Sequence, residues 1–112
     1  MQKLAILTAI FVAAPSISAY SFTTCNKCST GTGCGGTPTS WTVSPGDTQN
    51  VPGTQCVIWP ANGEAASWQV CNGSNGGRSC TSGTNINCFA AEDGSGRIIC
   101  NTAGTQSIKI LT

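Results

Sequence analysis

Apolar residues recur at every second position in short runs along this chain, and glycine, proline, asparagine and serine fill the gaps between them. A period of two marks half-buried strands, and no useful length of sequence carries the three-to-four spacing of an amphipathic helix. Ser40 to Ser44 alternates around Trp41 and Val43, then runs into Pro45-Gly46-Asp47, a turn with φ fixed at the proline and free at the glycine. Cys56-Val57-Ile58-Trp59 is a short apolar strand ended by Pro60, with Asn62-Gly63 as a turn dipeptide. Trp68 and Val70 alternate before Cys71. Ile108-Lys109-Ile110 reads as a last strand with both isoleucines facing inward.

One hairpin is specified more closely. Cys88 to Ala91 and Arg97 to Cys100 flank Glu92-Asp93-Gly94-Ser95-Gly96, a five-residue connection of turn formers. Pairing Ala91 with Arg97 puts Cys88 opposite Cys100, so the two either bridge or reach the same underlying layer. Residues 21–39 hold three cysteines among Thr, Ser and Gly and are expected to be irregular and bridge-held. Residues 72–87 begin Asn72-Gly73-Ser74-Asn75-Gly76-Gly77 and are expected to be exposed loop. The expected fold is all-β: one small disulfide-rich β-sandwich or barrel-like sheet with irregular loops.

The amino-terminal pattern changes the compartment. Lys3 precedes an apolar run from Leu4 to Ala14, then Pro15 and small residues through Ser16, Ser18 and Ala19. That is the layout of a secretory signal peptide, expected to span residues 1–19 and leave residues 20–112 as a single domain. The run is too short to cross a bilayer. All eight cysteines, Cys25, Cys28, Cys34, Cys56, Cys71, Cys80, Cys88 and Cys100, follow it. An even count in a short exported chain implies disulfides, four if complete, although eight cysteines allow 105 pairings. Cys25-Asn26-Lys27-Cys28 is a C-x-x-C, but in this setting structural bridges account for it better than zinc or thiol redox chemistry. The expected location is extracellular.

Charge is sparse, with Lys27, Arg78, Arg97 and Lys109 balanced by Asp47, Glu64, Glu92 and Asp93 after residue 19. A neutral surface offers nothing to hold phosphates or anionic lipid, so neither nucleic acid nor membrane insertion is expected. The chain has no histidine. That removes Ser-His-Asp and Cys-His catalysis and the usual general base near neutral pH, including the chemistry of small guanyl-type ribonucleases of similar size. Glu64 with Glu92 or Asp93 would be the remaining acid–base pair, yet each sits beside turn formers. No catalytic residue, cofactor or metal is assigned.

Binding residues are the better candidates. Trp41, Trp59 and Trp68 offer stacking faces for sugar rings, although each lies in a strand beside apolar neighbours, which favours core for at least two. Arg78-Ser79, between Cys71 and Cys80, resembles the scissile position of an inhibitor loop, but three glycines would make that loop floppy where inhibition needs preorganisation. Asn72-Gly73-Ser74 is a glycosylation sequon in a eukaryotic host.

Signal peptide, size, eight cysteines and a Gly/Ser/Thr/Asn-rich surface together resemble the small secreted cysteine-rich proteins of filamentous fungi, many of them effector-like. The chain lacks the Cys-Cys doublets of hydrophobins and the positive charge of defensin-like antifungals. The resemblance implies a monomeric, non-catalytic extracellular protein that binds a host or competitor protein or glycan, a virulence role included. Chitin or glucan binding, killer-toxin-like antimicrobial action and protease inhibition are the alternatives.

Overall fold

The structure, a computed structural model, describes residues 18–112. The expected signal peptide lies outside them apart from Ser18 and Ala19. Nine strands run in order: β1 (Tyr20–Cys25), β2 (Cys28–Ser29), β3 (Gly33–Cys34), β4 (Pro38–Val43), β5 (Thr48–Trp59), β6 (Trp68–Cys71), β7 (Cys80–Ser82), β8 (Asn87–Ala90) and β9 (Ile98–Ile110). Seven form one antiparallel sheet of order β4-β1-β5-β9-β6-β7, with β8 also paired to β9, while β2 and β3 make a separate two-stranded ribbon. The all-β expectation holds. The sheet folds over itself without closing into a barrel.

What folds it is a pair of matched bends. β5 and β9 are 12 and 13 residues long, about 40 Å of chain at the usual rise per residue. Their ladder is regular at Cys56↔Asn101 to Trp59↔Ile98 and again at Thr48↔Lys109 to Asn50↔Ser107, and it shifts register on either side of Thr54↔Thr105. Gly53 stands at φ 74° and Gly104 at φ 81°. Immediately after each glycine, a buried threonine hydroxyl donates to the carbonyl three residues back: Thr54 to Val51 at 2.7 Å and Thr105 to Thr102 at 2.8 Å. Each bend therefore supplies a partner for a carbonyl near the point where the ladder is interrupted.

The bends separate two half-sheets. β1, β4 and β8 flank the Cys56–Trp59 half of β5 and its partner in β9, and β6 and β7 extend the other half. Their inner faces share one core: Phe22, Val43, Val57 and Trp59 meet Trp68, Val70, Ile108 and Ile110. Trp59 contacts Trp68 edge-on at a 5.1 Å centroid distance and Phe22 at 5.0 Å, within the favourable range for aromatic pairs. Alternation puts Ile58, Ile99, Cys25 and Cys56 on the opposite face, a second cluster. The β2–β3 ribbon covers it. Gly33 of the ribbon lies so close that a Cβ would sit 2.8 Å from Ile58 Cδ1.

All eight cysteines are bridged: Cys25–Cys34, Cys28–Cys56, Cys71–Cys80 and Cys88–Cys100. The hairpin register is as expected, with Phe89↔Ile99 and Cys88↔Cys100, and those cysteines do bridge. Two expectations need correction. Residues 21–25 are not irregular but belong to β1 inside the sheet, because Phe22 and Thr24 alternate inward, and 38–39 open β4; only residues 26–37 answer to a bridge-held segment. Residues 72–87 are not simply loop, since β7 lies among them and Gly73 and Gly83 are buried.

A Cβ on Gly53 or Gly104 would meet nothing within 4 Å, so an alanine there tests the left-handed backbone alone. Gly53→Ala and Gly104→Ala should each cost about 1–2 kcal/mol, and Thr54→Val or Thr105→Val about 1 kcal/mol. Guanidinium denaturation of the oxidised protein measures each, and unchanged midpoints in all four would show that the bends do not govern stability.

Candidate functional site

The residues singled out in the sequence do not converge. Trp59 and Trp68 are 0% and 2% exposed, buried between the half-sheets, and offer no face for stacking. Trp68 Nε1 donates to Glu64 Oε2 at 2.9 Å. Trp41 is half-buried at the edge strand β4, packs on the rim of the core, and donates from Nε1 to Thr24 Oγ1 at 2.8 Å.

Arg78 and Asn72 occupy the β6–β7 connection, which is not floppy. Cys71–Cys80 closes it, and Asn72 exchanges backbone and side-chain hydrogen bonds with Ser79. Asn75 and Asn50 are doubly bonded at 2.7 and 2.9 Å. Ser107, fully buried, accepts from Gly76 N–H at 2.9 Å and donates to the Gly73 carbonyl at 2.7 Å. These tethers come from β5 and β9, far away in sequence, so the glycines gave no hint of them. The preorganisation that an inhibitor loop needs is present, yet Arg78 stands at φ 62°. A protease takes its substrate extended, and that left-handed backbone departs from it. Asn72 is exposed, as its sequon requires.

One charged pair serves a turn. Asp93 accepts from Ser95 N–H at 3.0 Å and pairs with Arg97 at 2.7 Å in the β8–β9 turn. Ser95, through its hydroxyl and then its backbone N–H, and next Arg97, hold the Asp93 carboxyl down at about 2. A carboxyl so acidic stays ionised through the physiological range and is no proton donor there. Among the described residues, no cluster of three or more Cys, Asp or Glu side chains is placed to hold a metal ion.

Four clefts stand out on the surface of the described residues. One, of about 220 Å³, lies over the β1–β4 edge, lined by Ser21, Thr23, Ser40, Ile58, Arg97 and the binding candidate Trp41 among others. A wide shallow one, about 610 Å³, runs beside the ribbon past Asn26, Lys27, Gln55 and Asn101. The other two, about 140 and 300 Å³, share Val70, Thr81, Thr102 and Ala103 and form two lobes of one groove. That groove opens beside the β9 bend, where β7 and β8 edge the two half-sheets. Asn72, Ser79, Gly104 and Thr105 line its smaller lobe, and Asn85, Ile86, Asn87 and Asn101 its larger one. None of its lining residues is charged. Sequence reading missed this groove because its residues, spread over positions 70–105, are ordinary loop and strand polars until the fold gathers them.

No protein family, characterised protein or solved structure is recognisably similar to this chain. The four disulfides and the small all-β domain are of the extracellular type; function has to be argued from the surface.

The Asp93 carboxyl should titrate near 2 by carbon-detected NMR. Its folded value lies below the unfolded one, so its contribution to stability is present above about pH 4. That contribution is lost as pH falls toward 2. Ser95→Ala should move the midpoint up toward the ordinary aspartate value; an unmoved midpoint would remove Ser95 as the main cause.

Proposed function

We propose that this chain is an exported, non-catalytic binding protein, effector-like in layout, that engages a host or competitor component outside the cell. The observation that supports it best is the disposition of its few carboxylates. No Asp or Glu lines any of the four clefts; Glu64 is engaged by Trp68, and Asp93 is locked in its turn. General acid–base chemistry needs a carboxyl within hydrogen-bond reach of a substrate, and none of these groups borders a cleft. What the clefts do offer is hydroxyls, carboxamides, apolar patches that include Trp41, and the cations Arg97 and Lys27, on a scaffold pinned by four bridges. Such a surface recognises by short-range polar fit, and rigidity lowers the entropic cost of binding. The bridges also suit the chain to protease-rich fluid outside cells.

The complete chain, expressed in a eukaryotic secretion host, should be recovered from the medium with Tyr20 at its amino terminus and no free thiol, as mass spectrometry with and without alkylation reads. The oxidised product should show saturable retention on plant or fungal cell surfaces, lost on reduction. It should leave β-glucan, chitin, RNA and peptide substrates uncleaved relative to a reduced and alkylated control. Turnover of any of these above that control would overturn the reading.

A further inference from the structure

The bend in β9 does more than fold the sheet. It carries Thr102 inward, and the Thr102 side chain is 9% exposed with its hydroxyl lacking any hydrogen-bond partner. That oxygen is closed to solvent, so no ligand in a surface groove touches it, and Thr102 gives the groove only the rest of its surface. Thr102 lines both lobes of the groove beside the bend. Around it, among the described residues, the carboxamides of Asn85, Asn87 and Asn101 and the hydroxyl of Thr81 make no hydrogen bond within the protein, and the three asparagines are exposed. Asn87 and Asn101 stand directly opposite each other across β8–β9. Val70, Ile86 and Ala103 supply apolar surface between these polar groups.

Resting on the non-catalytic reading above, we infer that this groove binds a neutral saccharide segment. The lining selects the chemistry. No charged side chain is present to pair with an ionic ligand, and leaving a ligand charge unpaired in a groove is costly. Carboxamides both donate and accept and so match adjacent sugar hydroxyls, which also do both. The apolar patches fit the C–H faces of a pyranose. The larger lobe, about 300 Å³, lies at the lower end of small-ligand sites, which suits one or two sugar rings. With no aromatic side chain in the lining, affinity should be on the order of millimolar. The site is independent of the tryptophans.

The test is a titration of the ¹⁵N-labelled oxidised protein with chitotetraose, with laminaritetraose and with a neutral Asn/Ser-rich peptide, followed by amide shifts. One of the two sugars should shift Thr81–Asn87 and Asn101–Thr105 saturably. Asn87→Ala and Asn101→Ala should each weaken that binding about tenfold, with unchanged thermal midpoints. Thr102→Val should bind like the parent without lowering the thermal midpoint, because it deletes a hydroxyl closed to the groove and keeps the branched shape. The inference is overturned if neither sugar shifts these amides, if the shifts map elsewhere, or if only the peptide shifts them. It is equally overturned if Asn87→Ala and Asn101→Ala both bind like the parent, since the carboxamides then serve water alone. Anomeric signals in the same samples separate the two readings. Intact sugar without groove shifts sinks the groove and leaves the non-catalytic reading standing, whereas new reducing ends sink that reading.

Discussion

The paired bend at Thr54 and Thr105 is the constraint from which the rest of this structure follows. A single bent strand would tear away from its partner, because hydrogen-bonded neighbours must follow the same path. Here both long strands bend at one register position, each with a glycine at positive φ and a threonine hydroxyl closing on the carbonyl three residues back. The ladder therefore turns as a unit. Straight, the two strands would leave Trp59 and Ile108 facing nothing; bent, they bring β6 over β1, and both side chains become fully buried.

The disulfides secure the parts that the bend cannot hold. Cys71–Cys80 ties β7 to β6 and Cys88–Cys100 ties β8 to β9, each at directly opposed residues; β7 and β8 are short and pair along one side only. Cys25–Cys34 and Cys28–Cys56 fasten the ribbon, which has just two paired residues per strand, onto Ile58 and Ile99. The second spans 28 residues against nine for the first. On chain entropy alone that difference is worth about 1 kcal/mol more to the longer link. A domain this small buries limited apolar area, so such terms are a sizeable share of its stability.

Near-neutrality shapes how this surface can recognise anything. Without a single-sign field there is little long-range steering, and selectivity falls to close-range hydrogen bonding and shape. The β6–β7 loop shows how the fold supplies rigidity without regular structure: Asn50 and Ser107 reach in from the two long strands and occupy its backbone groups. The groove beside the β9 bend shows the converse, a place where the backbone's own geometry leaves polar groups unspent.

Much of the fold was legible because it is local. Alternation located β4, the end of β5, β6, β8 and the end of β9, and turn residues placed the β8–β9 register. The same alternation was present in Tyr20 to Thr24, where nearby cysteines and threonines obscured it. The bend was not legible, since Val51-Pro52-Gly53-Thr54 and Thr102-Ala103-Gly104-Thr105 carry no mark of one another, and only their opposition makes them one corner. The candidate groove was hidden for the same reason, being assembled from four strands and two connections. The sequence by itself determined the all-β class, the bridged cysteines and the near-neutral surface, because period, residue type and charge are properties of single positions. Tertiary structure alone decided which tryptophans are core, which loop is rigid and where free polar groups converge, because each depends on contacts between residues tens of positions apart.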